Sequence, residues 1–291
     1  MSPFIALCLL ITYVVWGTTY LAIRFALTDL PPFLMMGSRF VAAALLLAPV
    51  VMLRQRERPS ARQVRNCAVI GGFMLVGGMG MTAVAEQTIS SGATTVMIAS
   101  MPLFSTLWTL LAGGRLRVYE MAAIGLGTVG IAVLFRGAEF QASTVGVLAL
   151  TTAIASWSFG SQLSKRLDMP KGMTAFVLEM TFGGVALLLL SRIAGETWPT
   201  HIGTHSALAW GYLVVFGSAI AFTAYMALVE RVSTVMATSY VYVNPPIALL
   251  MGAWLADERV APQTLGATGI ILAAVVVLTA GATRATRRAA A

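Results

Sequence analysis

The sequence predicts an all-α integral membrane protein with ten transmembrane helices, arranged as two inverted five-helix repeats around a central cavity. Three observations lead to this prediction: the composition, the number of apolar segments and an internal repeat. Of the 291 residues, 58% are hydrophobic and only 10% are charged, and the mean hydropathy is +0.85. Soluble domains carry about a quarter charged residues, so the composition excludes that class.

Ten apolar segments are long enough to cross a hydrocarbon core of about 30 Å, which takes about 20 residues. The connections between them are short, and the longest, 54–65 and 192–206, leave no room for a separate soluble domain. The first segment has no basic region before it, so we interpret it as a retained helix and not as a cleaved signal peptide. The segments are 4–24, 33–53, 66–86, 92–112, 118–136, 144–164, 173–194, 207–229, 234–255 and 262–282.

An offset of 143 residues relates the first five segments to the second five. It aligns Pro102, at the centre of the fourth segment, with Pro245, at the centre of the ninth. Because five is odd, the second copy must enter the membrane in the opposite orientation. The sequence therefore predicts a first repeat at 1–138 and an inverted one at 139–291. Inverted repeats are typical of secondary transporters.

The distribution of basic residues orients the chain, because lysine and arginine accumulate in cytoplasmic loops. With the N-terminus inside, 14 of the 19 basic residues are cytoplasmic, four are outside, and Arg39 lies within the membrane. The net charge of +8 thus reflects topology and does not indicate nucleic-acid binding. We predict a multi-pass protein of the bacterial inner membrane with both termini in the cytoplasm. The cytoplasmic set is Arg54, Arg56, Arg58, Arg62, Arg65, Arg115, Arg117, Lys165, Arg166, Lys171, Arg231, Arg284, Arg287 and Arg288.

A glycine motif at 125–130 matches the GxGxxG pattern of dinucleotide-binding proteins, which requires a strand before it and a helix that opens onto water. Here the motif lies inside an apolar segment, where small residues allow helices to approach closely. We therefore interpret it as a helix-packing motif, together with Gly266 and Gly269 in the tenth segment.

The two histidines, His201 and His205, are four residues apart, but no acidic or cysteine ligand is close to them in the outer loop. This predicts a solvated loop rather than a metal site. The sequence also has no HExxH, GxSxG or Walker A motif. We expect no enzyme activity, no metal and no cofactor.

Two charged residues are predicted within the membrane. Arg39 lies roughly 10 Å from the outer edge, where a charge normally faces the bundle interior or a wet cavity. Two roles remain open for Arg39. It could pair structurally with Glu86 or Asp29, or it could contact the substrate directly. Glu179 should lie near the cytoplasmic third of the membrane. It is a candidate for proton coupling, and the alternative is an ion pair with a basic residue such as Lys165. Glu86, at the end of the third segment, is expected at the interface.

Three prolines are predicted to break helices: Pro102, Pro245 and Pro246. Proline removes a backbone hydrogen bond and clashes with the preceding turn. Lipid cannot replace that bond, so each break should face protein or a water-filled cavity. Breaks at matched positions of two repeats indicate a central binding site.

Aromatic, amide and thioether side chains are predicted at the depth of these breaks. Tryptophan and tyrosine ordinarily prefer the membrane interface, the amide of Asn244 both donates and accepts, and methionines form an adaptable apolar lining. Ordinary core packing is the alternative for each residue. The predicted substrate-binding set is Trp16, Tyr20, Met81, Met97, Met101, Trp157, Tyr225, Tyr240 and Asn244.

Several of these stretches resemble motifs of the drug/metabolite transporter superfamily, EamA family. Trp16-Gly17-Thr18-Thr19-Tyr20 resembles its WGSNF-like motif, and Arg39-Phe40 before an Ala/Leu run is similar to its second-helix pattern. Ser100-Met101-Pro102-Leu103 and Val243-Asn244-Pro245-Pro246 resemble its proline signatures. Ala85-Glu86-Gln87 is similar to the YedA-type exporters in particular. The resemblance covers nearly the whole chain as two EamA units.

The resemblance implies a ten-helix bundle, a central cavity and a small-molecule substrate, with export of amino acids or related metabolites as in many members. Two departures make the halves chemically different. Phe159-Gly160 stands where the first half has Trp16-Gly17, and Phe182 stands opposite Arg39. We expect selectivity to arise from such differences.

The sequence as a whole predicts a secondary transporter that exports small organic metabolites or amino acids by alternating access from a midplane cavity. The partners expected are a small-molecule substrate, the lipid bilayer and, through Glu179, a coupled proton. An integral-membrane enzyme is the first alternative, although no clustered acid, base or nucleophile supports it. A receptor or scaffold is the second, although the loops offer little surface.

Overall fold

A computed structural model describes residues 2–54, 58–137, 140, 143–232, 234–237 and 239–290, so Arg56 and the expected repeat boundary at 138–139 lie outside the described residues. All regular structure in these ranges is helical. The main helices are α1 (Pro3–Ala26), α2 (Pro32–Arg54), α3 (Ala61–Glu86), α4 (Ser91–Leu111), α5 (Val118–Leu134), α6 (Thr144–Ser164), α7 (Met173–Ile193), α8 (Thr204–Leu228), α9 (Tyr240–Leu255) and α10 (Pro262–Ala290).

Eight of these helices are long and apolar enough to cross a membrane, while α5 and α9 are shorter apolar helices. Many large apolar side chains point outward: Leu53 is 88% exposed and Ile193 is 82% exposed. An apolar outer surface is what a bundle surrounded by lipid requires. The expected all-α membrane fold is therefore present.

Polar side chains set where several helices begin. Ser2 accepts a hydrogen bond from the backbone N–H of Ile5 at 3.3 Å, directly before α1. Before α3, Ser60 and Gln63 form a reciprocal capping box, so α3 begins at Ala61, five residues earlier than its apolar segment. Such caps satisfy N–H groups that have no partner within the helix.

Helices α3 and α8 each contain a π-helical segment, at Gly72–Gly80 and Leu213–Ile220. Each segment accepts a side-chain hydrogen bond from a helix of the other half. Ser156 Oγ on α6 donates to the carbonyl of Phe73 at 2.7 Å, and Trp16 Nε1 on α1 donates to the carbonyl of Gly217 at 3.3 Å. π-Helical turns often occur at functional positions.

The two proline positions differ. Helix α4 is interrupted between Ile98 and Met101, directly before Pro102. Pro245 and Pro246, in contrast, lie inside α9, which begins only at Tyr240. The expected break at Pro245 is therefore wrong in position, since the helix starts a few residues earlier. Pro245 and Pro246 are the sixth and seventh residues of α9, so each removes a hydrogen bond within the helix.

Glycines allow several of the closest helix contacts. A Cβ on Gly130 of α5 would lie 2.7 Å from Ile271 of α10, and one on Gly127 would overlap Leu103 of α4. Gly127 and Gly130 of the GxGxxG-like stretch thus allow close packing, as predicted, whereas Gly125 has open space around it. The same prediction was wrong for Gly266 and Gly269, which have open space around them.

Candidate functional site

Three of the predicted site residues form an aromatic cluster where α1, α8 and α9 meet. The ring of Trp16 lies 5.1 Å from that of Tyr225 and 4.8 Å from that of Tyr240, between ring centroids. The rings of Tyr225 and Tyr240 are 5.9 Å apart and nearly perpendicular. These are favourable geometries for aromatic pairs. We refer to Trp16, Tyr225 and Tyr240 as the aromatic cluster.

Asn244 lies on α9, about one helical turn after Tyr240 of the aromatic cluster, and it is buried. Its side-chain amide faces the backbone carbonyls of Tyr240 and Tyr13, and with the amide oriented so that nitrogen faces them it donates to both, at 3.1 Å and 3.2 Å. The hydroxyl of Tyr13 also hydrogen-bonds Ser239 Oγ at 2.6 Å. These bonds attach the start of α9 to α1, so Asn244 contributes to helix contact in this structure.

The other predicted lining residues lie elsewhere. Trp157 on α6 packs against the π-helical segment of α3, because a Cβ on Gly78 would lie 2.8 Å from its ring. Met97 is sealed in an apolar core that includes Leu249, and Met101 packs at the edge of that core. The predicted lining set is therefore not gathered at one place.

Arg39 is 3% exposed on α2, so it is buried as expected. Its Nε donates to Ser218 Oγ on α8 at 3.0 Å, and Nη1 lies 3.7 Å from the sulfur of Met36. The expected pairing with Glu86 or Asp29 is wrong, since the one ion pair between described residues joins Arg24 to another acid, Glu258.

Glu86 is 1% exposed, which corrects the expectation of an interfacial position. The Nη1 of Arg24 crosses the end of α3 and donates to the backbone carbonyls of Glu86, at 3.0 Å, and Ile89, at 3.4 Å. Neither carboxylate oxygen of Glu86 has a hydrogen-bond partner within the described ranges. The sequence did not lead us to include Glu86 among the predicted site residues. The one signal for it was an acid at the end of an otherwise apolar segment.

Glu179 is partly buried on α7 and makes no ion pair with the residues that the structure describes. The alternative partner Lys165 is exposed and donates to Gln162 Oε1 at 3.4 Å. The backbone at Glu179 packs against α3, because a Cβ on Gly71 would lie 2.6 Å from its carbonyl oxygen. A pairing of Glu179 with Lys165 is therefore absent, and its role in proton coupling stays a prediction.

Three carboxylates accept hydrogen bonds from the starts of helices at the end of the bundle that holds the α1–α2 connection. Glu258 accepts from the backbone N–H and hydroxyl of Ser91, each at 3.0 Å, and from the N–H of Gly92 at 3.2 Å. Glu196 accepts from the N–H groups of Phe33 at 3.2 Å and Leu34 at 2.8 Å. Each contact joins one half of the chain to the other.

The third carboxylate is Asp29, which accepts from the N–H of Gly203, at the start of α8, at 2.8 Å. A hydrogen bond from Ser206 and this bond from Gly203 hold the pKa of Asp29 below its usual value. Acids at helix N-termini are stabilised by the unpaired N–H groups and the helix dipole. We refer to the end of the bundle that contains Asp29, Glu196 and Glu258 as the capped end.

Two shallow cavities open at the surface of the described residues. The larger, about 520 Å³, opens at the capped end and is lined by residues that include Asp29, Phe33, Met81 and Glu196. The smaller, about 350 Å³, is lined mostly by α1 and α8 and includes Tyr212. Met81 is the one predicted lining residue found in either cavity, and the aromatic cluster borders neither.

Metal and disulfide chemistry find little support. Within the described ranges, no group of three or more His, Cys, Asp or Glu residues is placed to hold a metal ion. Cys8 and Cys67 are both buried free thiols.

Comparison with known proteins decides the family. A family model described as the EamA-like transporter family matches residues 3–136 and, separately, residues 144–280. The chain belongs to the EamA-like transporter family. The sequence resemblance to this family is thereby confirmed.

Relatives within the EamA-like transporter family cover almost the whole chain. The "Uncharacterized inner membrane transporter YedA" of Escherichia coli K12 is 40% identical over 270 residues, which are 92% of this chain and 88% of that protein. A "Probable terminal-alkyne amino-acid exporter" of Streptantibioticus cattleyicolor is 26% identical over 273 residues, 91% of each chain. Relatives are thus named as inner membrane transporters and exporters.

A solved crystal structure has the same overall fold, with a TM-score of 0.63 at 20% sequence identity. The similarity covers 98% of this chain and 99% of that one. It supports the helical architecture of the EamA-like chain.

Proposed function

We propose that the chain is a secondary transporter of the bacterial inner membrane that exports small organic metabolites or amino acids by alternating access. The observation that carries the proposal is the separate match of each half of the chain to the EamA-like transporter family. Two homologous halves that move against each other expose a site between them first to one side and then to the other.

An arrangement of two inverted five-helix repeats is supported by how the helices pair. Helix α1 packs on α8 and α9, and its counterpart α6 packs on α3 and α4. Counterparts α2 and α7 pack on each other, as do α5 and α10. The two π-helical segments also occur in counterpart helices. These pairings are unchanged when the two halves are exchanged, as two-fold related repeats require.

The proposed substrate site lies between the halves, next to the aromatic cluster. Trp16 comes from the first half, and Tyr225 and Tyr240 come from the second. Tyr20 and Arg39 extend the site toward the capped end, with Asn244 and the interrupted helix α4 on other sides. Movement of one half would change the distances among these rings. Of the remaining predicted residues, Trp157, Met97 and Met101 act in packing in this proposal, and Met81 lines the cavity at the capped end.

The orientation proposed from the basic residues places both termini in the cytoplasm and the capped end outside. The carboxylate contacts at the capped end then join the two halves at the outer side. We also propose Glu179 as the proton-coupling residue. If Glu179→Gln keeps both the transport rate and its pH dependence, Glu179 has no such role.

An enzyme and a receptor are the alternatives, and no arrangement of the described side chains favours either. We therefore propose a protein without enzyme activity. The test is flux through the purified protein in proteoliposomes loaded with a panel of labelled amino acids and small metabolites.

At least one solute should leave faster than from protein-free liposomes. Trp16→Ala should reduce that rate at least tenfold, because the cluster loses its central ring. Trp254→Ala is the matched control, since Trp254 is 74% exposed on the outer surface, and it should stay within twofold of the unmodified protein. Absence of flux across the panel, from folded protein, would contradict the proposal.

A further inference from the structure

Helix α4 consists of two segments that are not continuous. The first is Ser91–Ile98 and the second is Met101–Leu111. Pro102 has no N–H and its ring crowds the preceding turn, so a regular helical hydrogen bond is missing at this point. Between the segments, Ser100 Oγ turns back and donates to the carbonyl of Met97 at 2.6 Å. We refer to Ser91–Ile98 as the outer segment of α4, because it starts at the capped end, and the interruption gives it a hinge.

The two segments of α4 pack on different partners. The outer segment packs mainly on α1 and α9, whereas the second segment packs mainly on α6. A close contact joins Gly92 of the outer segment to Leu249 of α9. A Cβ on Gly92 would lie 2.7 Å from Cδ2 and 3.5 Å from Cα of Leu249. The hinge therefore lies where α4 passes from one group of partner helices to another, so a tilt of the outer segment would leave the contact with α6 in place.

Glu258 holds the start of the outer segment. It follows α9, and its carboxylate accepts hydrogen bonds from the N–H and the hydroxyl of Ser91, each at 3.0 Å, and from the N–H of Gly92 at 3.2 Å. The first N–H groups of a helix have no partner within the helix, so this carboxylate supplies the acceptor that they need. The Glu258 side chain is only 8% exposed, which limits the access of water to these bonds. The position of the outer segment thus depends on one side chain that follows α9.

Arg24 on α1 holds the same part of the chain from a second side. Its Nε lies 3.5 Å from Oε1 of Glu258, and its Nη1 donates to the carbonyls of Glu86, at 3.0 Å, and Ile89, at 3.4 Å. These carbonyls belong to the end of α3 and to the turn that leads into the outer segment. We refer to Arg24 and Glu258 as the clasp, because together they join α1 and α9 to the turn between α3 and α4.

The contact that Glu196 makes at the capped end has a different setting. Glu196 accepts from the start of α2, but α2 and α7 also pack directly on each other. A Cβ on Gly37 would lie 2.9 Å from the backbone nitrogen of Leu188, and one on Gly184 would lie 3.0 Å from that of Val41. Loss of the Glu196 contact would therefore leave this helix pair together. The clasp, in contrast, holds a segment that is hinged.

We propose that the outer segment of α4 is the gate on the outer side of the transporter and that the clasp holds it closed. In each transport cycle the bonds from the clasp to this segment and its turn break, and the segment tilts away from α9 at Ala99 and Ser100. Water replaces the broken bonds in the open state, so the net cost of release is modest. The α2–α7 pair stays in contact as the pivot. The gate rests on the proposed transport function and names the part of the chain that opens to the outside.

A reversible cross-link tests the gate directly. Gly92→Cys combined with Leu249→Cys places two thiols at the contact between the outer segment and α9, where a Cβ at position 92 lies within disulfide reach of position 249. The variant also carries Cys8→Ala and Cys67→Ala, so that only one disulfide can form. In proteoliposomes, oxidation should lower the efflux of every transported solute at least tenfold, and dithiothreitol should restore it.

The matched control cross-links the proposed pivot. Gly37→Cys combined with Leu188→Cys, in the same cysteine-free background, joins α2 to α7 and replaces the same two residue types. Mass spectrometry measures the cross-linked fraction, and the rates are compared at equal fractions. Oxidation of the control should leave efflux within twofold of the reduced protein, because the account keeps this contact in every state.

A second measurement needs no substrate. Met97→Cys, in the same background, places a thiol on the outer segment at a position that is 1% exposed, and a membrane-impermeant maleimide added on the outer side reports its opening. Glu258→Ala should raise the labelling rate at least fivefold, because loss of the clasp shifts the population toward the open gate. Ser91→Ala removes a single hydroxyl contact and should raise the rate about twofold even if Glu258→Ala folds poorly. Arg259→Ala, an exposed neighbour, is the control and should leave the rate unchanged.

Three results would overturn the gate: efflux that the cross-link between positions 92 and 249 leaves unchanged, an equal loss in the control cross-link, or unchanged labelling in both Glu258→Ala and Ser91→Ala. The same measurements separate the gate from the transport function. Efflux that the cross-link does not affect rejects the gate but keeps the transporter. Faster labelling in Glu258→Ala and Ser91→Ala, with no efflux of any solute from the unmodified protein, rejects the transporter but keeps the gate.

Discussion

The two pairs of opposite charges near the capped end have opposite physical characters. Arg24 and Glu258 contact each other, and Glu258 also satisfies the start of α4, so this pair holds the two halves together. Arg39 and Glu86 are more deeply buried and remain apart. The contrast teaches that burial of a charge in this bundle does not by itself indicate a structural role. Partner bonds, rather than burial, distinguish the charges that stabilise the fold.

The largest effect on stability should come from Glu258→Ala. The change removes an acceptor of three hydrogen bonds and the partner of Arg24, so the free energy of unfolding should fall by about 2–4 kcal/mol. Thermal unfolding of the purified protein measures this. Arg259→Ala, an exposed neighbour, is the control and should have little effect. An equal loss in both variants would refute the structural role of Glu258.

A smaller loss is expected for Arg24→Gln. Glu258 keeps its bonds to α4, and the Arg24 side chain is 39% exposed, so the ion pair contributes little in this partly solvated position. Together with the bonds to the carbonyls at the end of α3, the expected loss is about 1 kcal/mol. A loss as large as that of Glu258→Ala would show that the ion pair, rather than the helix cap, carries the stability.

Glu86→Gln should leave the free energy of unfolding unchanged or raise it by up to about 1 kcal/mol, because it replaces an unsatisfied buried charge with a neutral group of the same shape. A destabilised Glu86→Gln would place Glu86 with Glu258 as a structural acid.

The smallest effect concerns Asp29, whose pKa is held below its usual value. A lowered pKa means that the unfolded state binds more protons than the folded state, so stability is present above the unfolded pKa and is lost as the pH falls through the folded pKa. Asp29→Asn should remove this part of the decline in melting temperature below about pH 4. An unchanged acid profile would show that the bonds to Gly203 and Ser206 do not contribute.

Much of the fold could be predicted because membrane helices have a strong local signal. The apolar segments, the interruption before Pro102 and the burial of Arg39 each follow from nearby residues and the cost of placing them in lipid. The break expected at Pro245 lies before Tyr240 instead, and Pro245 itself is inside α9.

The site was harder to predict because it depends on which distant residues meet. The burial of Glu86 requires the side chain of Arg24, 62 residues earlier, to cross the end of α3. The separation of Trp157 from the aromatic cluster depends on glycines in the π-helical segment of α3. No pattern in the local sequence predicts either of these contacts.

The most direct test of the account is the initial rate of efflux of labelled amino acids and small metabolites from proteoliposomes, compared between the unmodified protein, Trp16→Ala and Trp254→Ala at equal amounts of folded protein. The account predicts efflux of at least one solute by the unmodified protein, a loss of at least tenfold in Trp16→Ala and a rate within twofold in Trp254→Ala. Efflux by Trp16→Ala at the rate of the unmodified protein would contradict it.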